Sequence, residues 1–173
     1  MPKIIQNVRN QLLFEAKRQI DEFGYEKTTI RSVASACGVG VGTVYNYFPS
    51  KDALIASFLL ADWQTALSNM KLRACDDAKT TLKAVYDELN AFVNLHAVLF
   101  SDKEATKSYS LSLPERHGLL RSQIAKIIQP TCERSTLTNK PFLAEFISES
   151  ILVWTLAKKD FDDIYKIIET LLT

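Results

Sequence analysis

Apolar residues recur at steps of three and four along nearly the whole chain, the spacing of helices that bury one face. No stretch keeps the alternation a strand needs, and neither a repeat nor a low-complexity segment interrupts the pattern. Five Gly and five Pro among 173 residues leave few breaks, so the elements are long and the fold class is all-α. Leu13, Ala16, Ile20 and Phe23 mark a first helix that Gly24 ends. Ile30, Val33, Ala34 and Cys37 line a short second helix with Thr29 as its N-cap. A third short helix runs from about Val41 to Phe48. Pro49-Ser50 breaks it, and Ser50 caps a long helix from Lys51 to about Ala74. The next helix is expected from about Thr80 to Phe100, followed by a Ser- and Lys-rich loop with one helical turn at 101–113. Pro114 suits the N1 position of a further helix, and Pro130 kinks or ends it. Two last helices run from about Pro141 to Lys158 and from Phe161 to Leu172.

Composition excludes more than it selects. At 47% hydrophobic and 24% charged, the chain is neither disordered nor a small disulfide scaffold. Its apolar runs are too short to span a bilayer, and its start carries no secretory pattern, so a cytoplasmic location is expected. Cys37, Cys75 and Cys132 stand far apart, with no CxxC or Cys/His cluster, so no metal site is expected. No GxSxG, HExxH, P-loop or glycine-rich dinucleotide turn occurs, so neither catalysis nor a cofactor is expected. The net charge of +1 is unevenly spread. Residues 1–51 hold seven basic and four acidic side chains, and the remainder holds 14 and 16. A basic head on a mildly acidic body fits a nucleic-acid partner.

The most informative stretch is residues 28–51, TTIRSVASACGVGVGTVYNYFPSK. It reads as a helix, a glycine turn and a second short helix, the layout in which the second helix enters a DNA major groove. Ala34 is small where two helices cross, and Gly38 allows the positive φ of the turn. Val39, Val44 and Phe48 point inward. Val41, Gly42, Thr43, Tyr45 and Tyr47 are left facing outward, without carboxylates that phosphates would repel. Lys51, at the start of the next helix, adds positive charge to a positive helix end.

The residues themselves carry a likeness. Ala16, Ile20 and Gly24-Tyr25; Thr28-Thr29, Arg31 and Val33-Ala34; Cys37-Gly38-Val39 and Gly42-Thr43-Val44-Tyr45; Tyr47-Phe48, Ser50-Lys51 and Leu54 together resemble the N-terminal domain of the tetracycline-repressor (TetR) family. The resemblance covers about residues 3–58. It implies a helix-turn-helix DNA-binding domain over 1–50 and a helical ligand-binding and dimerisation domain over 51–173. It further implies a homodimer that binds a palindromic double-stranded DNA operator, and a ligand whose binding releases it. By position, Thr29 caps the second helix at the backbone and Arg31 reaches phosphate or a base. Val41, Gly42, Thr43 and Tyr45 face the groove, and Tyr47 and Lys51 sit on phosphates. The chain departs from the family where Gly40-Val41 replaces a polar pair and where Tyr47 stands at a position that is often His.

The body supplies coarser expectations. Leu143, Ile147, Ile151 and Trp154, and then Phe161, Ile164, Ile168 and Leu171, follow helical steps and are expected at the dimer interface. Trp63, Tyr86 and His96 are candidate walls of a pocket for a small hydrophobic effector, although plain core is the commoner role of such residues. A body that binds a protein partner instead, and a small all-α enzyme, are the alternatives.

Overall fold

The computed structural model describes residues 7–105 and 113–173, with side chains of the second segment described from 117 onward. These residues form α1 (Val8–Phe23), α2 (Ile30–Ala36), α3 (Val41–Tyr47), α4 (Lys51–Arg73) and α5 (Ala78–Leu95). They continue with α6 (Ala97–Ser101), α7 (Leu113–Cys132), α8 (Lys140–Leu156) and α9 (Phe161–Leu172), and no strand occurs among them. No described helix is long and apolar enough to cross a membrane.

The described residues divide into two compact units, 7–62 with 96–105 and 63–95 with 113–173. The division falls inside α4, so this helix contributes residues to each unit, whereas the sequence suggested a boundary at its start.

The first unit is a small helical head. Leu12, Ala16 and Ile20 of α1, Val33 and Ala34 of α2, Val44 of α3 and Leu54 and Ile55 of α4 form its core. Leu99 and Ala105 close that core from later in the chain. The loops are fixed by local chemistry. Gly24 (φ +84) ends α1 with its N–H on the Ile20 carbonyl, and the Thr28 hydroxyl donates back to the Gly24 carbonyl at 2.9 Å. Gly38 (φ +66) makes the α2–α3 turn, a backbone state open to glycine at little cost.

The second unit packs the rest of α4 against α5, α7, α8 and α9. Met70, Leu82, Val85, Ile124, Ile128, Ile147 and Ile151 are central to its core. Asn139 caps α8 by accepting the Phe142 N–H at 3.3 Å, and Asp160 caps α9 by accepting that of Asp162 at 2.8 Å.

Two expectations need correction. The helix expected to reach Phe100 stops at Leu95, because His96 leaves helical backbone (φ −114, ψ 20) and starts the separate α6. Leu99, on the same apolar stripe by spacing, serves the head core instead. Pro130 does not end its helix at once; α7 runs two residues past it. In the segment 101–113, where a loop with one helical turn is expected, Ser101 closes α6 and 103–105 are helical, while 106–112 lie outside the described residues.

The apolar faces of α8 and α9 also sit differently from the expectation. Leu143, Ile147, Ile151, Phe161, Ile164 and Ile168 are buried in the unit's own core. Trp154 is exposed, and Leu171 is half-buried beside it along a groove. Phe146, Trp154, Ile164, Ile167, Ile168 and Leu171 line that groove together with Ser150 and Lys159.

Candidate nucleic-acid interface

The head presents α3 on a scaffold locked from several sides. Thr29 and Ser32 form a reciprocal cap at the start of α2, each hydroxyl accepting the other's N–H at 3.0 Å. The Ser32 hydroxyl also donates to the Gln19 amide oxygen on α1 at 2.6 Å, and Gln19 in turn donates to Glu15 at 2.7 Å. Such a cap contributes about 1 kcal/mol to the helix it opens. Ser50 caps α4 by accepting the Ala53 N–H at 3.0 Å. Val44 and Phe48 plug the head core and hold α3 to it.

What remains uncovered on α3 is polar and neutral. Tyr45 and Tyr47 are 52% and 46% exposed. Gly42 is exposed and Thr43 is half-buried. Val41 is less available than the sequence suggested, because it is half-buried and packs on the head core. Asn46, which the sequence reading passed over, is fully part of the exposed surface. Subtracting the inward positions Val44 and Val41 from the helical period would have found it. Arg31 on α2 is exposed, and Thr29 is exposed with its hydroxyl committed to the cap.

Lys51 is placed differently from the other cations. Its ammonium donates to the Tyr25 carbonyl at 2.7 Å and lies 3.6 Å from the centre of the Tyr25 ring. The Tyr25 hydroxyl donates to Asp52 at 2.7 Å. Burial pushes the Lys51 ammonium below its ordinary range, while Asp52, Asp102 and Glu26 act the other way. Lys51 therefore ties the start of α4 to the α1–α2 turn.

The residues considered for a pocket are dispersed. Trp63 and Tyr86 belong to the second unit and His96 to the first. Trp63 is buried, donates its indole N–H to Gln123 at 2.7 Å and meets Phe92 edge-on. The Tyr86 hydroxyl donates to the Lys159 carbonyl at 2.8 Å. The His96 ring is buried, stacks on Phe58 and lies 3.2 Å from an Asp62 oxygen that Lys17 also meets at 2.6 Å. Burial and Lys17 lower the His96 pKa, against the pull of Asp62 and Asp21. No group of three metal-ligating side chains occurs among the described residues.

This arrangement has relatives. Residues 12–58 match the family model described as bacterial regulatory proteins, tetR family. Over these residues the chain carries the DNA-binding domain of the TetR family. Its fold agrees with TetR-family structures over nearly its whole length. A transcriptional regulator from Cytophaga hutchinsonii matches with a TM-score of 0.64 at 21% identity, covering 96% of this chain and 95% of that one. A TetR-family regulator from Streptomyces coelicolor matches at 0.60 and 16% identity, covering 95% and 94%. Among curated relatives, an uncharacterized HTH-type transcriptional regulator of Bacillus subtilis, YhgD, is 30% identical over 134 residues, which is 75% of this chain and 64% of that protein. The regulator BetI of Burkholderia cenocepacia is 34% identical over 90 residues, covering 49% and 46%. The chain thus spans less than two thirds of the length of these curated relatives.

Proposed function

We propose that this chain is a transcriptional regulator, most simply a repressor, that binds a palindromic DNA operator as a homodimer and releases it when a small hydrophobic effector enters the second unit. The observation that carries the reading is the outward face of α3. It offers hydroxyls, an amide and bare backbone, holds no carboxylate, and is anchored by Val44 and Phe48 to a head braced by the Thr29–Ser32 cap. In this reading Thr43 and Tyr45 contact bases, Arg31 and Tyr47 contact phosphate, Gly42 allows close approach, and Thr29 and Lys51 hold the frame. The second copy covers the groove at Phe146, Trp154 and Ile167, where large apolar side chains stand exposed. The effector enters among the aromatic side chains of the second unit, beside the buried Trp63 and the half-buried Tyr86, while His96 serves the head.

Two recognition helices on a two-fold axis read successive major grooves, with half-site centres roughly 34–36 Å apart. Selection from a random-core duplex library should therefore enrich a palindrome. Recovery of no sequence over background would end the regulator reading. A thermal-shift screen of acyl compounds and apolar cations should find a stabiliser that also lowers DNA affinity. A compound that stabilises without changing DNA binding would not be the effector, because a switch requires unequal affinity for the two states.

A further inference from the structure

The geometry points to Asn46 as the residue through which α3 reads sequence, taking one adenine in each half-site; this rests on the reading of the head as a DNA-binding unit. The helix is VGTVYNY, and Val44 is fully buried with Val41 half-buried on the head core. At about 100° per residue, Val41 lies roughly 60° from Val44, so the inward direction falls between them. Asn46 lies roughly 200° from Val44, on the opposite side, while Tyr45 and Tyr47 fall on the two flanks. The centre of the exposed face therefore belongs to Asn46 and, one turn earlier, to Gly42.

Gly42 adds a second observation. A Cβ at this position would meet nothing within 4 Å, so internal packing does not demand a glycine there. Side chains on a helix lean toward its N-terminus, which carries the Asn46 carboxamide over the turn that Gly42 leaves bare. That carboxamide makes no hydrogen bond among the described residues, whereas Gln19 on α1 is bound on both its donor and its acceptor side.

The chemistry selects the base. A carboxamide holds a donor and an acceptor side by side, and adenine presents their complement at N7 and N6 in the major groove. The remaining polar groups of α3 are the hydroxyls of Thr43, Tyr45 and Tyr47. A hydroxyl donates or accepts and so discriminates poorly. Asn46 is the one side chain of α3 able to make a two-point match.

The test selects binding sites from a random-core duplex library with the full chain and with Asn46→Ala and Asn46→Arg. The full chain should enrich a palindrome with an invariant A·T pair in each half-site. Asn46→Ala should lose the preference at that pair alone, with affinity for a single half-site falling roughly 5- to 100-fold. Its melting curve, salt dependence and affinity for random duplex should stay unchanged. Asn46→Arg should move the preference toward G·C, since a guanidinium pairs with guanine O6 and N7. If Asn46→Ala keeps every base preference of the parent, the inference falls and the regulator reading stands. If the parent enriches no sequence, the regulator reading falls and takes this inference with it.

Discussion

Two exposed faces among the described residues differ in kind. On α3 the inward arc is apolar and the outward arc carries Gly42, Asn46 and tyrosine hydroxyls. On α8 and α9 apolar side chains reach beyond the buried arc: Ile147, Ile164 and Ile168 point into the core, while Phe146, Trp154 and Ile167 stand outside it. A helix with one apolar arc has satisfied its hydrophobic requirement inside the fold, and its other face is left for water or a polar partner. Large apolar side chains left outside the core still have surface to bury. The first face fits a partner lined with hydrogen-bonding groups, and the second fits a copy of itself.

The largest effect should separate the inward from the outward arc of α9. Ile164 is 6% exposed and Ile167 is 69% exposed, three residues apart on one helix. Ile164→Glu buries a charge in the core and should cost at least about 3 kcal/mol, seen as a large drop in melting temperature or as insoluble protein. Trp154→Glu with Ile167→Glu should instead leave a folded chain and weaken self-association about 100-fold or more, read by sedimentation velocity. A double mutant that stays dimeric would move the interface away from this groove.

On the head, the comparison sharpens between two cations. Arg31 is exposed, whereas the Lys51 ammonium is engaged by the Tyr25 carbonyl and ring. Arg31→Ala should leave the melting temperature unchanged and flatten the salt dependence of DNA binding by about two units of slope per dimer, one per lost phosphate contact. Lys51→Met should lower head stability by about 1 kcal/mol through the lost hydrogen bond. It should flatten the slope less than Arg31→Ala does. Equal slopes for the two would show that Lys51 leaves Tyr25 for phosphate on binding.

Spacing made the helices legible, because a three-four apolar period and a few glycines need no long-range information. Thr29, Gly24, Gly38 and Ser50 act locally, and the structure places each where its chemistry suggests. What spacing could not supply was phase. Leu143, Ile147 and Ile151 form a clean stripe, but only packing tells whether a stripe faces the chain's own core or a second copy. The same ambiguity hid Asn46 and overstated Val41. The break at His96 was invisible because His96 and Leu99 continue the α5 stripe in sequence, while in the fold they serve the head.

His96 gives the head a dependence on pH. Its folded pKa is lowered, chiefly by burial, so the folded head favours the neutral ring. The unfolded chain, with an ordinary histidine pKa near 6.5, takes up the proton first on acidification. Stability from this group is thus fully present above the unfolded value and is lost as pH falls below it toward the folded one. Melting curves between about pH 7.5 and 5.5 should show the head weakening, and His96→Gln should flatten that dependence. A parent and mutant with parallel pH profiles would assign the acid sensitivity to other groups.

The smallest effect tests the comparison most directly. If the outward arc of α3 were merely solvated, the residue at 42 would be chosen for the helix alone. Gly42 is then a poor choice, since glycine costs a helix interior about 0.5–1 kcal/mol relative to alanine. Nothing in the head requires it, because an added Cβ would meet no atom within 4 Å. Gly42→Ala should accordingly raise the melting temperature by a few degrees. On a DNA-binding face the same methyl stands between the helix backbone and the base edges, so affinity for the selected palindrome should fall while the fold improves. Stability and binding would then move in opposite directions from one substitution. A variant that is more stable and binds as well as the parent would mean that DNA does not approach α3 at Gly42, and that α3 meets the groove with a different side.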